Sequence, residues 1–312
     1  MTQLPPTTTF TPKQVALAMG VSESSVKRWC DNGRIRGGRT AGGHRKLPLA
    51  SVVQFIRETG QELADPTALG MVAVSARRRP DQVGDRLYAS LLEGDEPAAR
   101  ELILGLYQQG ASAIELGDDL IGPVLRRVGD QWHAGEVSVH EERRCCEVTM
   151  AVLHELRRWI PAPAPDAPLA LTATPEQDFA EVPIRLVELV LLSSGWRNVM
   201  AGSGLPLEEI LAAVKLRQPQ LVCLSATHLE NVAAYIESQN QATMEGGFGV
   251  PVIMGGGAFS EAQAAALRCE LFAPDLASLA AWLTEFASPD GEDAETSEKA
   301  TDGGAIAKGD AS

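Results

Sequence analysis

The sequence predicts a multidomain chain of three folded units: a winged helix-turn-helix over residues 1–62, a four-helix bundle over 83–162, and an α/β domain with a parallel sheet over 168–287. Three observations carry this. Two short amphipathic stretches meet at Gly20 and run into a glycine- and arginine-rich segment. Apolar residues between Gly84 and Ile160 recur at helical spacing. Beyond the spacer PAPAPDAP, short apolar runs alternate with amphipathic stretches, which implies parallel strands covered on both faces. Residues 63–82 read as a linker and 288–312 as a disordered acidic tail, too poor in apolar residues to offset the entropy of ordering.

In the first unit, Thr11, Pro12 and Gln14 spell a helix start: a hydroxyl cap, a first-turn proline that needs no donor, and a glutamine to complete the capping box. Val15, Ala16 and Met19 share one face, Gly20 permits a sharp turn, and Ser22 caps a second helix carrying Val26 and Trp29 inward. In a helix-turn-helix the second helix enters the major groove, so its outward residues Ser24, Ser25, Lys27 and Arg28 are expected to meet bases and phosphates. The following RIRGGRTAGGHRKL reads as a wing. Its glycines, Gly42 and Gly43 among them, let the backbone approach phosphate, and Arg36, Arg39, Thr40, His44, Arg45 and Lys46 supply contacts. Leu49, Val52, Val53 and Ile56 then repeat at helical spacing and should pack back on the first two helices.

Charge supports this division. The chain carries a net −14, yet residues 1–60 hold nine Lys or Arg against three Asp or Glu, a surplus of six on the head and a deficit of twenty on the rest. An acidic body is repelled by phosphate, so only the head is expected to touch nucleic acid. The Arg77, Arg78 and Arg79 run could touch phosphate too, with a solvated linker as the alternative. Five scattered cysteines without a CxxC pair indicate neither a disulfide framework nor a zinc cluster and fit a reducing cytoplasm. No apolar run is long enough to span a bilayer, the start lacks a secretory signal, and no catalytic triad or Walker loop is present, so a non-enzymatic cytoplasmic protein is expected.

The second unit reads as helices around Leu87 and Leu91, from Asp95 to Gly110, from Ser112 through Val128 with a kink or restart at Gly122–Pro123, and from Val139 to Ile160. The third reads as strands LALTAT, WRNVM, LVCLSAT, PVIM and LFAP, each followed by a helix, with the ligand crevice at the carboxyl ends of the strands.

The turn, Trp29 and RTAGGHRKL together resemble the winged-helix domain of the MerR-like and excisionase-like regulators. The spacing of Pro123, Gly129, Trp132, Gly135, Val137, Val139 and Glu142 is similar to the helical cap of the light-sensing, cobalamin-dependent repressors of the MerR class, the CarH type. That resemblance implies that Trp132 and Glu142 sit over the upper face of a corrin, while the histidine able to ligate cobalt there is replaced by Arg143. The α/β unit resembles the flavodoxin-like (Rossmann-like) cobalamin-binding domain. Its Glu-x-His-x-x-Gly signature falls on Glu176 to Glu181, with Asp178 for the lower axial histidine and Glu181 for the glycine. Ser225 and Thr227 match a second signature, and Gly255 and Gly256 a third.

These resemblances imply a transcriptional repressor that binds double-stranded operator DNA as a homo-oligomer, a dimer or tetramer, with a sensor responding to light through adenosylcobalamin. Loss of both axial histidines leaves other readings open: cobalamin without a protein ligand, haem or a bilin instead, a regulatory protein partner only, or, in another class, a corrinoid methyl carrier.

Overall fold

A computed structural model of the chain describes residues 4–71 and 80–286. Arg77, Arg78, Arg79 and the acidic 288–312 segment lie outside the described residues.

The head begins with strand β1 (Thr9–Phe10) and helices α1 (Pro12–Met19) and α2 (Glu23–Asp31), continues through a hairpin of β2 (Gly38–Arg39) and β3 (Arg45–Pro48), and ends in α3 (Leu49–Thr59). The three strands form an antiparallel sheet in the order β1-β3-β2. Thr11 and Gln14 form the capping box of α1, Gly20 closes that helix in the left-handed conformation, and the Ser22 hydroxyl accepts from the Ser25 amide to start α2. Val15, Met19, Val26, Leu49, Val52, Val53 and Ile56 are buried together, so the apolar spacing lands on one core.

Part of the expected linker is folded. Pro66–Leu69 makes a 3₁₀ turn against α1, with Leu69 and Met71 buried, and α4 (Pro80–Glu93) already starts at residue 80. Periodicity could not reveal so short a turn, because a single 3₁₀ turn has no period to show.

The bundle comprises α4, α5 (Glu96–Gln108), α6 (Ala113–Glu115) running through a π-helical segment (Leu116–Ile121) into α7 (Gly122–His133), and α8 (Val139–Arg157). Pro123 has no amide and would crowd the carbonyl four residues back. The ladder widens instead, and the Gly122 amide bonds to the Gly117 carbonyl.

The third unit alternates β4 (Leu169–Pro175), α9 (Glu181–Ser193), β5 (Arg197–Leu205), α10 (Leu207–Arg217), β6 (Leu221–Ser225), α11 (Val232–Met244), β7 (Val252–Gly255), α12 (Glu261–Ala266), β8 (Leu271–Ala273) and α13 (Leu276–Phe286). All strands are parallel, in the order β5-β4-β6-β7-β8. The chain therefore reverses its direction of growth between β4 and β6, and this switch point places a crevice at the carboxyl ends of those two strands. Period-two alternation sorts the strand residues. Leu221, Cys223 and Ile253 join a core shared with the bundle and head, while Val222, Leu224, Val252 and Met254 join a second core under α10 and α11.

Two joints unite the parts. Arg57 of α3 donates to the carbonyls of Tyr107 (3.1 Å) and Ala111 at the end of α5, and its guanidinium lies 4.0 Å from the centre of the Tyr107 ring. Between bundle and sheet, Asp118 caps α13 by accepting from the amides of Leu276 and Ala277, both at 3.1 Å. A Cβ on Gly117 would lie 2.3 Å from the Cδ1 of Leu276, so a side chain there would force that leucine to shift. Glu188 of α9 receives Arg157 of α8 at 2.7 Å and also pairs with Arg185. Among the described residues no helix is long and apolar enough to cross a membrane.

Candidate functional site: a cationic head and a sheet-edge crevice

On α2, Ser24, Lys27 and Arg28 are exposed, whereas Ser25 is half-buried and its hydroxyl lies 2.9 Å from that of Ser22. Lys27 makes an exposed ion pair with Glu23 at 2.8 Å, a contact weak enough to exchange for phosphate. The hairpin turn is closed by the Gly43 amide on the Thr40 carbonyl (2.8 Å) and the Thr40 amide on the His44 carbonyl (2.9 Å), with Gly43 at φ 78°. Arg36, Arg39, Thr40, Gly42, Gly43 and His44 are exposed, and Lys46 is half-buried. The end of α2 and the hairpin enclose a cavity of about 370 Å³ lined by Asp31, Arg36, Arg39 and Arg45.

Arg45 differs from its neighbours. Its side chain is only 17% exposed, pairs with Asp31, and donates to the Lys27 carbonyl at 3.1 Å. It fastens the hairpin to the last turn of α2. Sequence placed Arg45 among the phosphate-contacting residues, and the structure adds this role within the head. The sequence hides the pairing because Asp31 and Arg45 are far apart along the chain. Arg34, not singled out by sequence, is exposed and lies 5.2 Å from the centre of the Phe55 ring.

On the bundle, Trp132 occupies the last turn of α7, 41% exposed and edge-on to His133 at 4.6 Å between ring centres. Glu142, in the first turn of α8, accepts from the Cys146 thiol at 3.3 Å and lies 3.5 Å from Arg143. Burial, followed by the Glu142 charge, pushes the Cys146 thiol up to about 12, and burial raises Cys145 to about 11. Both thiols stay protonated at neutral pH. His133 Nδ1 is engaged with the Gly129 carbonyl at 2.8 Å and His140 Nδ1 with the Ser138 hydroxyl at 2.9 Å. Among the described residues no cluster of three or more His, Cys, Asp or Glu is placed to hold a metal ion.

At the switch point, Asp178 is buried, 1% exposed. Its Oδ1 accepts from the Ala180 amide at 3.0 Å, and its Oδ2 from the amides of Thr227 and, at 3.4 Å, His228. Ser225 ends β6 in the core, and Thr227 lies exposed beyond it. Gly255 and Gly256 follow β7. A Cβ on Gly256 would lie 2.2 Å from the Ala226 carbonyl, and one on Gly255 would lie 2.9 Å from that of Ala273, so both glycines serve contacts between loops and strands of the protein itself. Glu181, in the expected glycine position, accepts from the Ser203 hydroxyl at 2.8 Å. Sequence reasoning missed Phe179, which is 66% exposed with its ring against Gly204, and Tyr235, whose hydroxyl is buried without a partner. Burial, then the nearby Asp178 charge, raises the Tyr235 pKa and keeps that phenol protonated.

The arrangement is a helix-turn-helix head joined to a helical bundle and a parallel α/β unit. Residues 9–60 match the helix-turn-helix domain family, and residues 83–157 match the B12 binding domain family. The chain is 22% identical over 201 residues to the methanol–corrinoid protein of Methanosarcina barkeri, covering 61% of this chain and 77% of that protein. The solved monomethylamine corrinoid protein of the same organism shares the fold, with a TM-score of 0.57 at 19% identity over 67% of this chain and all of that one (100%). None of these comparisons supports a haem or bilin.

At the two positions where a protein ligand to cobalt is expected, the residues present offer none. Guanidinium offers no lone pair at Arg143, and both oxygens of Asp178 are taken by backbone amides.

Proposed function

We propose that the chain is a DNA-binding transcriptional regulator, a repressor acting at an operator as a homo-oligomer, in which the bundle and α/β unit set assembly. The observation that carries this reading is the open reading surface: Ser24, Lys27 and Arg28 of α2 and the Arg36–His44 hairpin stay exposed while α3 is joined to the bundle through Arg57. In this reading α2 enters the major groove, its N-terminal half at base edges, and the hairpin follows the phosphate backbone with Arg36, Arg39 and Lys46. The MerR-like and winged-helix character of the head belongs to this proposal and is supported by the β2–β3 hairpin following α2. One reading helix buries too little surface for specific binding, so two half-sites read by a dimer are required.

The names of the relatives favour a second reading, a corrinoid methyl carrier. It gives the basic head no task and lacks a donor at position 178.

The test is binding of full-length protein to the promoter upstream of its own gene, against scrambled duplex of equal length, across a salt series. A preference for the promoter with a steep salt dependence is expected; equal affinity for both duplexes at every salt concentration sinks the reading.

A further inference from the structure

A ligand that inserts at a switch point must part the loops at the carboxyl ends of the strands and meet donors that the empty protein leaves free. Here the loops are bonded to one another. The Ala226 amide donates to the Gly255 carbonyl (2.8 Å) and the Ala258 amide to the Ala226 carbonyl (3.0 Å), joining the loops after β6 and β7. The Thr174 hydroxyl donates to the Asp178 carbonyl and accepts from the Gly204 amide at 2.9 Å, joining the end of β4 to β5. Glu181 and Ser203 close the same side at 2.8 Å. Asp178 joins the remaining pair, the loops after β4 and β6, through the Thr227 and His228 amides. Gln177 is held at φ 66°, a conformation costly for a residue with a side chain, and this turn delivers the carboxylate inward.

We infer that Asp178 takes the place of a ligand at this crevice: its carboxylate fills the amide cluster and seals the switch point, so this chain seats no corrinoid tail there. A buried carboxylate is retained only when charge-assisted bonds replace its water, and the amides of Ala180, Thr227 and His228 provide them. Any entering group would have to displace that charge and leave it buried without partners. The inference stands apart from the proposed DNA binding, because it concerns only the crevice.

Full-length protein is mixed in the dark with hydroxocobalamin or adenosylcobalamin, desalted, and its absorbance read. Hydrogen exchange at Thr227 and His228 is followed in the parent, in Asp178→Asn, which keeps one acceptor oxygen, and in Asp178→His. Expected are no corrinoid with a displaced nucleotide base in the protein fraction, slow exchange at both amides of the parent unaltered by corrinoid, and faster exchange in Asp178→His than in Asp178→Asn. Retention of base-displaced corrinoid by the parent overturns the inference, as does exchange identical in all three proteins. Promoter binding assayed on the same samples separates the outcomes: its absence defeats the regulator reading and leaves the crevice result unaffected.

Discussion

Arg28 and Arg45 carry the same charge, yet their surroundings assign them different work. Arg28 is exposed on the face of α2 and free to neutralise a phosphate. Each phosphate contact releases counterions, so Arg28→Ala is expected to weaken operator binding and to lower the slope of log affinity against log salt by about 0.9. Arg45 instead holds the hairpin against Asp31 and the Lys27 carbonyl. Arg45→Ala should weaken binding with little change of slope, Asp31→Ala should do much the same, and the double variant should lose less than the sum of the two. A salt titration of the four proteins checks this; a full unit of slope lost on Arg45→Ala would place its charge on the DNA. Composition and spacing made the cationic segment legible because glycines and arginines announce themselves locally. They could not separate the two roles, since burial depends on a partner supplied by another element. Asp178 is the same case, with a substitution visible in the sequence and its amide partners coming from residues after β6.

At the scale of elements, the capping signals were read correctly because a cap is a local device: Thr11 with Gln14 and Ser22 with Ser25 lie within one turn of each other. Ser112 and Glu115 form a further capping box at α6. Hydrogen bonds from the Ser112 backbone and side chain, with help from Arg57, hold the Glu115 carboxyl below its ordinary range. A depressed carboxylate contributes stability that is complete above its unfolded pKa of about 4.3 and is lost as pH falls through the lower folded value. Urea unfolding of Glu115→Gln should therefore differ from the parent at neutral pH and converge with it in acid; an unchanged difference at low pH would show that the charge is irrelevant. Arg57 itself was not legible, because its acceptors lie at the end of a helix remote in sequence. With two charge-assisted bonds and a ring contact, Arg57→Ala is expected to cost about 1–3 kcal/mol in urea unfolding. It should also raise hydrogen exchange in α3 more than in α2, and uniform exchange across the head would argue against a local joint.

For the whole molecule, what matters is that one apolar core runs from the head through the bundle to one face of the sheet, while the second core is confined to the other face. Continuity of that kind predicts cooperative unfolding of parts that the sequence describes as separate domains. The spacer at 161–168 suggested independence, and covalent linkage by prolines says nothing about packing on either side of it. Glu188 is the test of that cooperation. Its side chain is 4% exposed and answers both Arg157 from the bundle and Arg185 on its own helix. Removing it leaves the Arg185 guanidinium, 14% exposed, without its counter-charge, a loss on the order of 3 kcal/mol or more for a buried pair broken on one side. Glu188→Gln keeps the volume and removes the charge, so packing is preserved while the joint is weakened. Calorimetry of the parent should give calorimetric and van't Hoff enthalpies in closer agreement than those of Glu188→Gln, whose bundle and α/β unit should melt at separate temperatures. A variant that melts lower but with unchanged agreement would mean that the shared apolar core alone couples the units, and that the ion pair contributes stability without cooperativity.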